Sequence, residues 1–146
     1  MQEIESEKYS CLKLKNQLCF PLYAASREIL RMYTPLLKEI DLTYTQYIVM
    51  MVLWEEKEIS VGDLGKKLFL DTGTLSPLLK SMEKKSLLTR KRDSTDERIV
   101  KISITEEGEN LKEKAASIPG KIGGCLKIAP EKAEILYKTL YEILNQ

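Results

Sequence analysis

Between residues 72 and 104 the apolar pattern changes its period, and that change restricts the fold more than any other feature of the chain. In "TLSPLLKSMEKK", Leu75, Leu78, Leu79 and Met82 recur at the i, i+3, i+4, i+7 spacing of one helical stripe, which predicts a helix over about 73–86. From Leu87 the period is two. "LLTRKR", the polar turn "DSTDE" and "RIVKISIT" read as a hairpin, with Val100, Ile102 and Ile104 facing one way and Lys101 and Ser103 the other.

The elements before this unit are helical. "DLTYTQYIVMMVLWEE" carries a capping box, Thr43 with Gln46, and a staple pair, Leu42 with Tyr47, so a helix of about 45–57 follows. Its apolar residues run almost all round, as in a buried central helix. "SVGD" repeats the cap signature with Ser60 and Asp63, opening a short helix that buries Leu64 and Leu68, and "FLDTGT" is the turn. Pro77 fits the next helix if that helix starts at about Leu75. Further upstream, residues 13–34 present an apolar face at Leu18, Leu22, Ile29 and Met32, and the helix should stop before Pro35. Pro21 cannot donate to the carbonyl of Gln17, so this helix either begins just before Pro21 or kinks there.

After the hairpin, Thr105 can cap a helix carrying Leu111, Ala115 and Ile118 up to a break at Pro119-Gly120. Pro130 suits the first turn of a last helix bearing Ala133, Leu136, Tyr137, Leu140, Ile143 and Leu144. At 146 residues, 43% of them hydrophobic, the chain can bury a core as one domain. The expected architecture is mainly α with a small β-hairpin wing.

Composition excludes much chemistry. There is no histidine, which removes the usual general base, the Ser-His and Cys-His nucleophile pairs and the commonest metal ligand. Cys11, Cys19 and Cys125 form no CxxC pair, and no glycine spacing matches a phosphate loop, so neither metal nor cofactor is expected. The opening "MQEIESEKYS" is acidic and polar where a secretory leader would be basic and then apolar, and no apolar run reaches the length of a bilayer span. A cytoplasmic chain with free thiols is expected.

Charge is unevenly spread. Residues 60–104 hold ten basic side chains against six acidic, a net +4, while the segments before and after carry −2 and −1. Two helices joined by a tight turn, followed by a hairpin with a charged tip, make a winged helix-turn-helix over 43–105, and its basic centre suits double-stranded DNA. Thr72, Thr74 and Ser76 offer hydroxyls to base edges, Lys80, Lys84 and Arg90 offer charge to phosphates, and Arg98 beside Asp96 has the reach to enter a minor groove. Taken singly, Thr72 and Thr74 read equally well as helix caps.

With those residues in view, "LFLDTGTLSPLLKSMEKKSLLTRKRDSTDERIVKISITEEG" resembles the MarR family of winged-helix regulators over nearly the whole chain. That likeness implies a homodimer, formed by helices within 13–34 and 106–146, that represses from a palindromic operator. "NQLCFPLYAASREILRMYTPLLKEIDLTYTQY" is similar to the branch that senses organic hydroperoxides, the OhrR-like and SarZ-like regulators. The likeness makes Cys19 the peroxide-reactive thiol, Tyr33 and Tyr44 its hydrogen-bonding partners from the other subunit, and Tyr23 and Tyr47 pocket residues. Pro21 departs from the aliphatic residue usual there. Cys125 falls about where two-cysteine members carry a resolving thiol, beside the glycines of "GKIGGCLKIAP".

Alternatives remain open at this level. Cys19 could be an inert core thiol, the commonest state of a free cysteine, and Cys125 could be incidental to a one-cysteine sensor. A small aromatic or phenolic ligand could release the repressor without oxidation. A thiol peroxidase is a third reading, with Arg27 and Arg31 as the cationic candidates. Cys11 has no assigned role.

Overall fold

The computed structural model describes residues 8–145. The acidic opening "MQEIESE" lies outside them. Helix α1 spans Cys19–Lys38, later at both ends than its periodicity predicts. Before it, Ser10–Leu12 and Leu14–Asn16 form two short 3-10 turns, because Lys13 and Gln17 adopt extended backbone. Starting at Cys19 puts Pro21 in the first turn, where its missing N–H costs nothing.

The helix does not stop before Pro35. An interior proline costs about 3 kcal/mol, but Pro35 is exposed, so the carbonyl it leaves unpaired faces water. Continuing the helix keeps Leu37 (1% exposed) and half-buried Leu36 on the core. A buried leucine stabilises by about 1.5–3 kcal/mol, enough to offset the proline.

Helix α2, Tyr44–Glu56, opens with the predicted capping box: Thr43 Oγ1 accepts the Gln46 N–H at 3.3 Å and the Thr43 N–H donates to Gln46 Oε1 at 3.1 Å. Tyr47, Val49, Met50, Leu53 and Trp54 are buried, so α2 is the central helix of the core. Strand β1, Glu58–Ser60, was not legible, because three residues are too few to display alternation. Ser60 then caps α3, Val61–Leu68, by accepting the Asp63 N–H at 3.1 Å. Phe69 ends α3 in the left-handed region at φ 54°.

Helix α4, Thr72–Lys84, begins earlier than Pro77 suggests. Asp71 sets the start by accepting the Thr74 N–H on Oδ1 at 2.8 Å. Pro77 therefore lies inside the helix on its exposed side. Strands β2, Leu88–Arg92, and β3, Val100–Ile104, form the hairpin, and β1 adds to it in the order β1-β3-β2, all antiparallel. Ile102 is fully buried at the sheet centre, opposite Ile59 on one side and Arg90 on the other.

Thr105 caps α5, Glu106–Ala115, with its Oγ1 accepting the Gly108 N–H at 3.1 Å. The predicted break at Pro119-Gly120 falls earlier, at Ala116-Ser117, and Pro119 instead occupies the first turn of α6, Ile118–Cys125. Ile118 and Ile122, one turn apart and both buried, hold α6 on the core, so Gly123 and Gly124 are helical rather than a loose linker. Helix α7, Pro130–Leu144, begins at its proline and buries none of its residues: Ile135, Tyr137 and Leu144 are all exposed. Among the described residues no helix is long and apolar enough to cross a membrane.

Candidate functional site

The hydroxyl-bearing helix and the wing face each other. Between α3, α4 and the hairpin lies a groove of about 610 Å³, lined by Ser60, Lys66, Thr72, Ser76, Arg90, Arg98 and Lys101 among others. Thr72 and Ser76 therefore look into it from α4. Thr74 is engaged by the cap, its Oγ1 donating to Asp71 Oδ2 at 2.8 Å, which leaves its lone pairs free to accept. Those hydrogen bonds from Thr74 hold the Asp71 carboxyl below its usual range. Lys80 and Lys84 are exposed along the same helix.

The wing tip is built on carboxylates. Asp93 accepts from Lys101 Nζ at 2.8 Å, from the Thr95 N–H at 2.9 Å, from the Thr95 hydroxyl and from the Asp96 N–H at 3.2 Å. This set, led by Lys101, keeps its carboxyl far below the ordinary carboxylate range. Asp96 in turn grips Arg98, whose Nε and Nη2 donate at 3.0 and 3.1 Å while its backbone N–H donates at 3.0 Å. The fork holds a guanidinium that is 90% exposed, presented outward from the tip.

Arg90 is differently placed. Its Nε and Nη2 donate to Glu83 Oε2 at 3.0 and 2.8 Å, and its backbone N–H donates to Glu83 Oε1 at 3.1 Å.

The second cluster lies along α1, from Cys19 in its first turn to Tyr33 near its far end. Cys19 is the first residue of that helix, exposed, and no side chain caps the helix start. Its neighbours Leu18 and Pro21 line an apolar groove of about 550 Å³ shared with Leu22, Tyr44 and, from α7, Leu136 and Leu140. Tyr44 leads into a knot of rings: Tyr33 and Tyr44 pack edge to face with centroids 4.9 Å apart, and Tyr47 lies 6.0 and 6.4 Å from them. Burial pushes all three phenols up, and in Tyr44 and Tyr47 the neighbouring phenols add to it. Tyr23 is outside this knot. It is exposed, with the Arg27 guanidinium 5.4 Å from its ring centre. Cys125 is the exposed last residue of α6, and Cys11 is exposed in the first 3-10 turn.

Three acidic residues of this face were missed from sequence. Asp71 carried a usable signal, a capping residue three before Thr74. Asp93 carried one as well, the Asx-turn pattern with Thr95 two residues on, whereas Glu83 carried none, since only the strand brings Arg90 to it.

A hydroxyl-bearing helix and a charged wing around one groove, on a helical frame with a three-stranded sheet, define a winged-helix transcriptional regulator. The model of the SarA/Rot transcriptional regulators matches residues 31–115. The chain belongs to that family. It is 50% identical over 138 residues to the organic hydroperoxide resistance transcriptional regulator of Bacillus subtilis, covering 94% of each chain. It is 41% identical over 133 residues to the regulator SarZ of Staphylococcus aureus, covering 91% of this chain and 90% of that one. Overoxidised AbfR of Staphylococcus epidermidis bound to DNA superposes with a TM-score of 0.77 at 33% identity, covering 94% of this chain and 97% of AbfR. AbfR is also solved reduced on DNA and with a disulfide formed. The expected likeness to the organic hydroperoxide regulator and to SarZ therefore holds, the fold is the one seen in a MarR-family regulator, and the chain is a transcriptional regulator, not an enzyme.

Proposed function

We propose that the chain is a DNA-binding repressor of the cytoplasm that releases its operator when an organic hydroperoxide oxidises Cys19. The observation that carries this reading is Cys19 at an uncapped helix start, beside a groove that also holds Tyr44. The thiolate is the form of a cysteine that attacks peroxides. The thiolate attacks the terminal peroxide oxygen, the O–O bond breaks, Cys19 becomes a sulfenic acid and the alkoxide leaves as an alcohol after taking a proton. A polar oxygen then sits beside the apolar groove that Leu18 and Pro21 line, where the partner's start of α1 and α7 pack, and the packing that holds the reading helices in register changes.

On the DNA side, Thr72, Thr74 and Ser76 read base edges, Lys80 and Lys84 meet phosphates, and the Asp96-supported Arg98 enters a minor groove. A second copy of the chain covers the bare apolar face of α7 and the start of α1, bringing Tyr33 and Tyr44 of one subunit to Cys19 of the other. A palindromic duplex selected from a random pool by the reduced protein, challenged with cumene hydroperoxide at fixed salt, tests the reading. Release from the parent with retention by Cys19→Ser is expected; equal release from both would sink the thiol mechanism.

The 550 Å³ groove also favours a second reading, in which a small aromatic ligand wedges between α1 and α7. It predicts release by ligand alone, unaltered by Cys19→Ser.

A further inference from the structure

We propose that Glu83 is a positioning residue that sets the angle between α4 and the wing, with Arg90 as its brace, so that Arg98 meets DNA in step with the reading helix. The inference rests on the DNA-binding reading and assigns Arg90 a task other than phosphate contact.

Strand β2 is an edge of the sheet, so the N–H groups on its outer side lack a strand partner. The Arg90 N–H is one of these, and Glu83 Oε1 takes it at 3.1 Å. The guanidinium of the same residue closes on Glu83 Oε2 through two further donors. One carboxylate thus holds backbone and side chain of a strand residue together, which fixes orientation as well as distance. The Glu83 carboxyl is held below its usual range, first by the Arg90 side chain.

Among the described residues, the wing's other ion pairs, Asp93–Lys101, Asp96–Arg98 and Glu58–Lys101, stay within the sheet and its turn. They shape the wing without aiming it. Glu83–Arg90 is the ion pair that crosses to α4. Buried Leu87 and Leu88 anchor the base of the hairpin, but the tip extends beyond them, where a small rotation at the base becomes a large displacement of Arg98.

The sign of one substitution separates this role from its rival. If Arg90 were a phosphate contact and Glu83 a bystander, Glu83→Gln would remove a negative charge from the DNA face and tighten binding. A brace predicts the opposite. For the duplex selected by the parent, Glu83→Gln should weaken binding about tenfold, the effect of one charge-assisted hydrogen bond. In an Arg98→Ala background the same substitution should change binding by less than about twofold, because the group being aimed is gone. Arg90→Lys, which keeps the charge and loses the fork, should weaken binding as Glu83→Gln does. Circular dichroism verifies that each variant is folded.

Tighter or unchanged binding by Glu83→Gln, or an equal loss in both backgrounds, overturns the proposal. A second measurement needs no DNA: amide exchange at Arg90 should accelerate about tenfold or more in Glu83→Ala, as for any edge N–H that loses its acceptor. Unchanged exchange overturns the brace itself. If exchange accelerates but the parent selects no duplex, the brace stands, and the DNA-binding reading is overturned together with the wing's assigned task.

Discussion

The indole Nε1 of Trp54 donates to the carbonyl of Gly108 across 2.9 Å, joining the end of the central helix α2 to the first turn of α5. Tyr47 packs edge to face on the same indole with centroids 6.2 Å apart, so the tyrosine knot and the exit from the wing share one side chain. Gly108 has no room for a larger residue: a Cβ there would lie 2.3 Å from the Leu87 carbonyl oxygen and 2.8 Å from Ile104 Cγ1.

Gly108→Ala should therefore destabilise the fold by about 2–3 kcal/mol through overpacking against backbone. Trp54→Phe should cost about 1 kcal/mol by removing the indole hydrogen bond, the Gly108 carbonyl keeping only its helical partner. Urea unfolding measures both. As the chain's single tryptophan, Trp54 also serves as the fluorescent probe in the Gly108 variant.

The tyrosine knot predicts a pH dependence. Tyr33, Tyr44 and Tyr47 all have folded-state pKa values raised above 10.0, chiefly by burial. An acid whose folded pKa is raised favours folding while neutral, so the contribution is complete below pH 10.0 and is lost as pH rises through the folded values. Stability should fall more steeply in alkali for the parent than for Tyr44→Phe. Tyrosinate absorbance against pH, read beside the unfolding curve, checks this, and matching profiles would count against a desolvated knot.

If Cys125 resolves the oxidised sensor, its thiol attacks the Cys19 sulfenic acid of the other subunit, forming a disulfide and releasing water. Peroxide treatment should then yield a covalent dimer on non-reducing gels, absent in both Cys19→Ser and Cys125→Ser. DNA release without any crosslink would leave Cys125 incidental and point to a one-cysteine sensor.

The two interior prolines are places where stability can be gained. Pro35→Ala and Pro77→Ala should each stabilise by about 1 kcal/mol, because a helical hydrogen bond is restored, partly offset by the freer unfolded chain. Thermal melts decide. A loss of stability at Pro35 would mean that α1 depends on its ring packing.

At the wing tip, Asp93→Ala should weaken DNA binding even though it removes a negative charge, since it frees Lys101 and undoes the turn that carries Asp96 and Arg98. For the parent, the lowered Asp93 pKa means that this support is present above pH 3.8 and is lost as pH falls through the folded value. Affinity titrations across neutral pH should show no inflection from this group.

Much of the fold follows from short-range patterns in the sequence. The caps at Thr43, Ser60 and Thr105, the stripe from Leu75 to Met82 and the switch to alternation at Leu87 depend on residues within a few positions of each other. They are legible because the backbone groups they satisfy are local. The winged helix-turn-helix order, the basic centre and the candidate residues Thr72, Ser76 and Arg98 came from the same reading. Tertiary structure decided what local rules mispredict: α1 runs through Pro35 because Leu37 is buried, and α6 continues past Pro119-Gly120 because Ile118 and Ile122 reach the core. It also decided strand β1, whose three residues exist as a strand only because β3 lies beside them. The pairing of Glu83 with Arg90, the grouping of Tyr33, Tyr44 and Tyr47, and the shared groove of Tyr44 with the neighbours of Cys19 were decided the same way. Each is a meeting of side chains carried on different elements, and the distance between such elements is set by how the core packs, which sequence spacing does not encode.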